Sequence, residues 1–120
     1  MKKHIDNSLK YDTSLFAYGD DMVQNVGIVT GGGDFSEAIK VCRKLDINVY
    51  ITGCTGKCQN PFSKKQSQEF HKMAKKLKVN VLGCSHYLTE KWAMEMSVPF
   101  FNRLVPTEFI EDEYQIRMLD

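Results

Sequence analysis

Apolar residues along this chain gather into four short runs, most of them closed by a small or turn-forming cluster. Val26-Gly27-Ile28-Val29 leads into Thr30-Gly31-Gly32-Gly33, and Val49-Tyr50-Ile51 leads into Thr52-Gly53-Cys54. Val79-Asn80-Val81-Leu82 leads into Gly83-Cys84-Ser85-His86, and a last run, Phe100-Phe101 to Leu104-Val105, lies between Pro99 and Pro106. Runs this short and bounded predict strands over 25–30, 49–52, 79–83 and 100–105, the last tolerating a proline at its start. Between them the apolar spacing changes to a helical period. Phe35, Ala38, Ile39, Cys42 and Leu45 form one stripe, Phe70, Met73, Ala74 and Leu77 a second, and Leu88, Trp92 and Met96 a third, on a helix predicted over about 86–97. Asp34-x-x-Glu37 and Ser63-x-x-Gln66 are capping-box patterns that predict helix starts at those points. Strands alternating with helices of this length imply an α/β single domain with a mainly parallel central sheet flanked by helices on both faces. Residues 1–22 show no period and read as an arm or connector, with one short strand around Leu15 to Tyr18 and a turn at Tyr18-Gly19-Asp20-Asp21. The domain proper then spans 23–110, and 111–120 is a polar tail.

Composition narrows the class without naming a task. The chain has 120 residues, 42% hydrophobic and 26% charged, which suits one folded domain with a modest core. Lys and Arg number 16 against 15 Asp and Glu, so no global charge points to nucleic acid. Lys64, Lys65, Lys72, Lys75, Lys76 and Lys78 cluster locally and read as the solvated face of one helix. No stretch approaches the roughly 18 apolar residues of a membrane span, and the opening Met1-Lys2-Lys3-His4-Ile5-Asp6 has no apolar h-region. A cytoplasmic protein is the expectation, and in a reducing compartment its four cysteines are not expected to form structural disulfides. Cys42, on a helix stripe, reads as a small buried hydrophobe.

Chemistry is expected at one edge. In open parallel sheets ligands sit outside the carboxyl ends of the strands, and here those ends carry glycines, Cys54, Cys84 and His86. His86 and Glu90 are spaced i, i+4, so a helix turns both the same way, opposite the Leu88-Trp92-Met96 stripe. Imidazole plus carboxylate is a workable pair of ligands for zinc, iron or manganese; the bland reading is a surface His–Glu pair. A competing arrangement uses Cys54, Cys58, Cys84 and His86 as a zinc site or part of an iron–sulfur site; against it, the loop cysteines are simply small residues. The glycines at 31–33 read first as positions of close backbone approach, with phosphate cradling the lesser alternative because Asp34 would repel an anion. His71 reads as solvated or partly packed, and Trp92 as a core anchor.

Three segments together resemble the C-terminal half of the Nif-three-like family, whose members are often labelled GTP cyclohydrolase I type 2 homologues. They are Val26 to Gly33, Val49 to Gly53, and Asn80-Val-Leu-Gly-Cys-Ser-His-Tyr-Leu-Thr-Glu90, which is similar to the family's N-V-x-x-x-G-H-Y-x-T-E signature. The resemblance implies that His86 and Glu90 are metal ligands of a two-metal centre with hydrolase-type chemistry on an unidentified small-molecule substrate, and that the protein forms a ring-like homo-oligomer. The family's remaining ligands, a His-His-Pro motif and an aspartate, belong to an N-terminal half. Among His4, His71 and His86 no two are adjacent, Cys54 stands where an acidic residue is usual, and Ser85 where a glycine is common. The expectation is therefore an incomplete dinuclear site, finished by another chain, or a non-enzymatic interaction or oligomerisation module whose metal site is vestigial.

Overall fold

A computed structural model describes residues 14–55, 61–84 and 86–110 of the chain. Residues 1–13 of the arm, the loop at 56–60 with Cys58, Ser85 and the tail from 111 lie outside them. The described elements are β1 (Ser14–Phe16), β2 (Val26–Val29), α1 (Ser36–Lys44), β3 (Val49–Thr52), α2 (Pro61–Leu77), β4 (Asn80–Gly83) and α3 (His86–Phe101). They build one α/β domain. Its four-stranded sheet runs in the order β1-β4-β3-β2, with β2, β3 and β4 parallel and β1 antiparallel to β4. The parallel register sets Val29 beside Thr52 and Thr52 beside Gly83, so all three strand ends, and the loops leaving them, finish at one edge.

The strand alternation explains the layering. Tyr50 and Val81 point to one face, where they meet Ile39 and Cys42 of α1 and Phe70 and Ala74 of α2 in the larger buried cluster. Ile51 and Leu82 point to the other face, against Leu88 at the start of α3. Phe70, Ala74, Met73 and Leu77 take the inward face expected of α2, Cys42 is buried, and the lysines of α2 are exposed. Helices α1 and α2 both end on a residue in the left-handed region, Asp46 (φ 54°) and Lys78 (φ 55°). Ile47 N–H donates to Cys42 O at 2.8 Å and Val79 N–H to Ala74 O at 3.0 Å, the long backbone bond that closes a Schellman cap.

Two asparagines at strand starts hold the connector ahead of β2. Asn80 Oδ1 accepts from Tyr18 N and Gly19 N, both at 2.8 Å, and its Nδ2 donates to Asp20 O at 2.7 Å. Asn48 does the same for Gln24 N and Met22 O at 2.9 and 2.6 Å.

Several expectations give way. Helix α1 begins at Ser36 behind Phe35, with no side-chain cap. Asp34 is buried and accepts from Gln66 Nε2 at 3.3 Å, so a tertiary partner takes the carboxylate that a capping box would use. The same bond engages Gln66, and α2 already starts at Pro61, the favoured N-terminal position for proline. No strand forms over 100–105. Helix α3 continues through Pro99 to Phe101, and Asn102, Leu104 and Val105 keep helical or turn bonds to Val98 and Phe101. Proline there forfeits one backbone bond without ending the helix, and β1 already pairs with the outer edge of β4. Of the predicted stripe on α3 only Leu88 is buried; Trp92 is 46% exposed and Met96 81%. Phe35 and Leu45 are likewise exposed, because α1 is shorter at both ends than its apolar stripe.

Candidate functional site

At the carboxyl edge the loop after β2 folds back over the first turn of α3. Gly31 takes φ +66°, a conformation open to glycine and costly for other residues. Three hydroxyls from two elements, β3 and α3, hold this loop. Gly31 N–H donates to Thr89 Oγ1 at 2.8 Å, and Thr89 donates in turn to His86 O at 2.9 Å. Gly33 N–H donates to Thr52 Oγ1 at 3.1 Å, while Tyr50 OH donates to Gly33 O at 2.7 Å. Tyr50 is almost wholly buried; that burial, with the nearby Cys42 and Asp34 charges, pushes its phenol up to about 12. It stays protonated and can keep donating.

The glycines are packing requirements as much as hinges. A Cβ on Gly31 would run into Glu90 Oε1 and lie 2.9 Å from His86 Nε2. One on Gly53 would come within 2.6 Å of both His86 Cα and Thr89 Oγ1 and 2.8 Å of Gly31 O, so β3, the glycine loop and α3 converge on that residue.

His86 and Glu90 stand together, with Nε2 and Oε1 3.1 Å apart and both side chains about half exposed. The i, i+4 geometry expected from the spacing is present, at the rim of the sheet. As a surface ion pair it would contribute only about 0.3–0.5 kcal/mol. The other ring nitrogen, Nδ1, lies 3.4 Å from Cys54 Sγ. Cys84 instead packs against the apolar cluster of Leu82 and Leu88. Among the described residues no group of three or more His, Cys, Asp or Glu gathers as an ion cage, and Cys58 lies outside them. The donors fit an ion in part: imidazole and carboxylate, beside a glycine whose missing Cβ leaves them room.

His71, expected to be solvated or partly packed, is a strut. Its Nε2–H donates to Thr55 O at 2.7 Å, and its Nδ1 accepts from Tyr18 OH at 3.0 Å. Phe16 and Phe70 pack on the ring at centroid distances of 4.5 and 5.1 Å. It ties the start of the loop after β3 to the chain beyond β1. Neither this strut nor the roles of Thr52, Tyr50 and Thr89 were expected; the only signals were a polar residue at a strand end and a threonine beside Glu90.

No family model and no curated protein matches the sequence. Solved structures do match in shape. The protein ybgI, of unknown function, superposes with a TM-score of 0.64 at 19% identity over 89% of this chain. Reduced HcgD from Methanocaldococcus jannaschii gives 0.57 at 18% identity over 95% of this chain, and a Bacillus cereus protein related to NIF3 gives 0.54 at 15% over 94%. The fold is part of a NIF3-like fold. This chain spans 38% of the length of ybgI, 43% of HcgD and 30% of the Bacillus cereus protein, so the NIF3-like portion here is well under half of each. No described helix is long and apolar enough to cross a membrane.

Proposed function

We propose that this NIF3-like domain binds a divalent metal ion (zinc, iron or manganese) at the strand-end rim. Its own ligands are His86 and Glu90, with the remaining donors supplied by another polypeptide. The observation that carries this reading is the His86–Glu90 pair itself, 3.1 Å apart, half exposed, and seated against a glycine that leaves it space. Its net contribution to stability as an ion pair is small, whereas neutral imidazole and carboxylate are ordinary donors to such ions. The similarity of the Asn80–Glu90 segment to the Nif-three-like signature supports the same assignment. When bound, such an ion supplies the Lewis acidity that hydrolase-type chemistry on a small molecule would use.

A second chain as the source of donors is favoured by α3. Beyond its first turn the helix leaves Trp92, Met94, Met96, Phe100 and Phe101 exposed, more apolar surface than a lone helix face usually shows to water. The same surface supports a second reading, an interaction or oligomerisation module with a vestigial metal site. Elemental analysis of the purified protein, together with its solution mass, separates the two. The expected result is bound ion in the native protein that is lost in His86→Ala, with an unchanged circular dichroism spectrum. Native protein that takes up no zinc, iron or manganese while remaining folded and self-associated would overturn the metal reading and leave the interaction module.

A further inference from the structure

We infer that Cys54 is a positioning residue for His86, holding the ring so that Nε2 faces Glu90 and a bound ion; this rests on the metal reading above. The imidazole is gripped at both nitrogens, Nε2 by Glu90 Oε1 at 3.1 Å and Nδ1 by Cys54 Sγ at 3.4 Å. A histidine that coordinates through Nε2 carries its hydrogen on Nδ1, and a partner that accepts from Nδ1–H sets both tautomer and ring orientation. Sulfur is a weak acceptor and S–H a weak donor. A thiol can therefore face either tautomer: it donates to Nδ1 while Nε2–H binds Glu90, and accepts from Nδ1–H once Nε2 is taken. A carboxylate in its place could only accept.

The backbone that carries Cys54 is held on both sides. On one side Gly53 packs directly on His86 Cα, where a Cβ would stand 2.6 Å away. On the other, Thr55 O accepts from His71 Nε2 at 2.7 Å, and His71 is anchored by Tyr18 and Phe16. Cys54 thus sits between two anchored neighbours, the arrangement that lets a residue outside the ligand set orient one inside it.

Zinc affinity measured by competition with a chromophoric chelator, and the absorption spectrum of the cobalt-substituted protein, test this on the full chain. Cys54→Ala is expected to weaken zinc binding by roughly tenfold or more, with Cys54→Ser restoring most of the loss. The native cobalt spectrum is expected to lack a thiolate-to-cobalt charge-transfer band. Unchanged affinity in Cys54→Ala, with binding still abolished by His86→Ala, would overturn the positioning role and leave the metal reading intact. A charge-transfer band that disappears in Cys54→Ala would make Cys54 a ligand and overturn the role in another way. Native protein that binds neither ion overturns both readings together.

Discussion

Alanine at three consecutive glycines should give three different results, and Gly31 is the informative one. Gly31 holds φ +66°, and its absent Cβ is replaced in space by the His86–Glu90 pair. An alanine there pays the left-handed backbone penalty, about 1–2 kcal/mol. The clash adds little to stability, because the atoms met are the ends of two half-exposed side chains that can swing away. For 120 residues at about 2.1 cal/mol/K each, the unfolding entropy is about 0.25 kcal/mol/K, so Tm should fall by about 4–8 °C. Swinging away, however, breaks the Nε2–Oε1 pairing, so zinc affinity should drop by at least about tenfold, as when a ligand loses its orientation. Gly32→Ala is the control, since its Cβ would meet only His86 Cε1 at 3.8 Å, an ordinary contact. Gly33→Ala is the opposite extreme: its Cβ would strike Thr52 Oγ1 and come within 2.9 Å of Tyr50 OH and Val29 Cγ1, inside the fold, so it should unfold the domain most readily. Calorimetry and chelator competition on all three variants read the two effects apart. Native zinc affinity in a folded Gly31→Ala protein would refute the idea that this glycine makes room for the pair.

Two further outcomes follow from particular residues. Lys78 closes α2 at φ 55°, so Lys78→Gly should relieve about 1 kcal/mol of backbone strain and raise the denaturation midpoint; an unchanged or lower midpoint would contradict this. Burial pushes the Tyr50 phenol up to about 12 in the fold, above the 10.0 of a free tyrosine, so the unfolded chain loses that proton first as pH rises. The stability tied to its protonated form should be complete below pH 10 and decline between about 10 and 12. Urea midpoints across that range should fall less steeply for Tyr50→Phe than for the native protein.

What was legible in the sequence is what depends on local period. Strands β2, β3 and β4 followed from bounded apolar runs, and the buried faces of α1 and α2 from Ile39, Cys42, Phe70 and Ala74 at helical spacing. His86 and Glu90 were legible for the same reason, being one turn apart on one helix. Errors arose where a local pattern had a distant competitor. Asp34-x-x-Glu37 is a sound cap in isolation, yet Gln66, 32 positions away, takes the carboxylate. Phe100 to Val105 reads equally as strand or helix, since a short apolar run carries no period of its own; continuation of α3 through Pro99 decided it.

The division of labour among polar groups at the rim shows why the site residues stand out. Thr89, Thr52 and Tyr50 direct their hydroxyls to the backbone of residues 31–33 or 86, and Asn48 and Asn80 serve the connector. Each satisfies a main-chain group that would otherwise be lost to solvent or left unpaired, which is a structural task. His86 and Glu90 serve no loop in this way: their pairing, and the contact of the ring with Cys54, is between side chains at half-exposed positions where water would have satisfied them as well. Setting an imidazole between a carboxylate at Nε2 and a thiol at Nδ1, on a backbone held this closely by other residues, has little effect on folding. The glycine loop beneath it leaves the pair its room, since a Cβ on Gly31 would meet both Glu90 Oε1 and His86 Nε2.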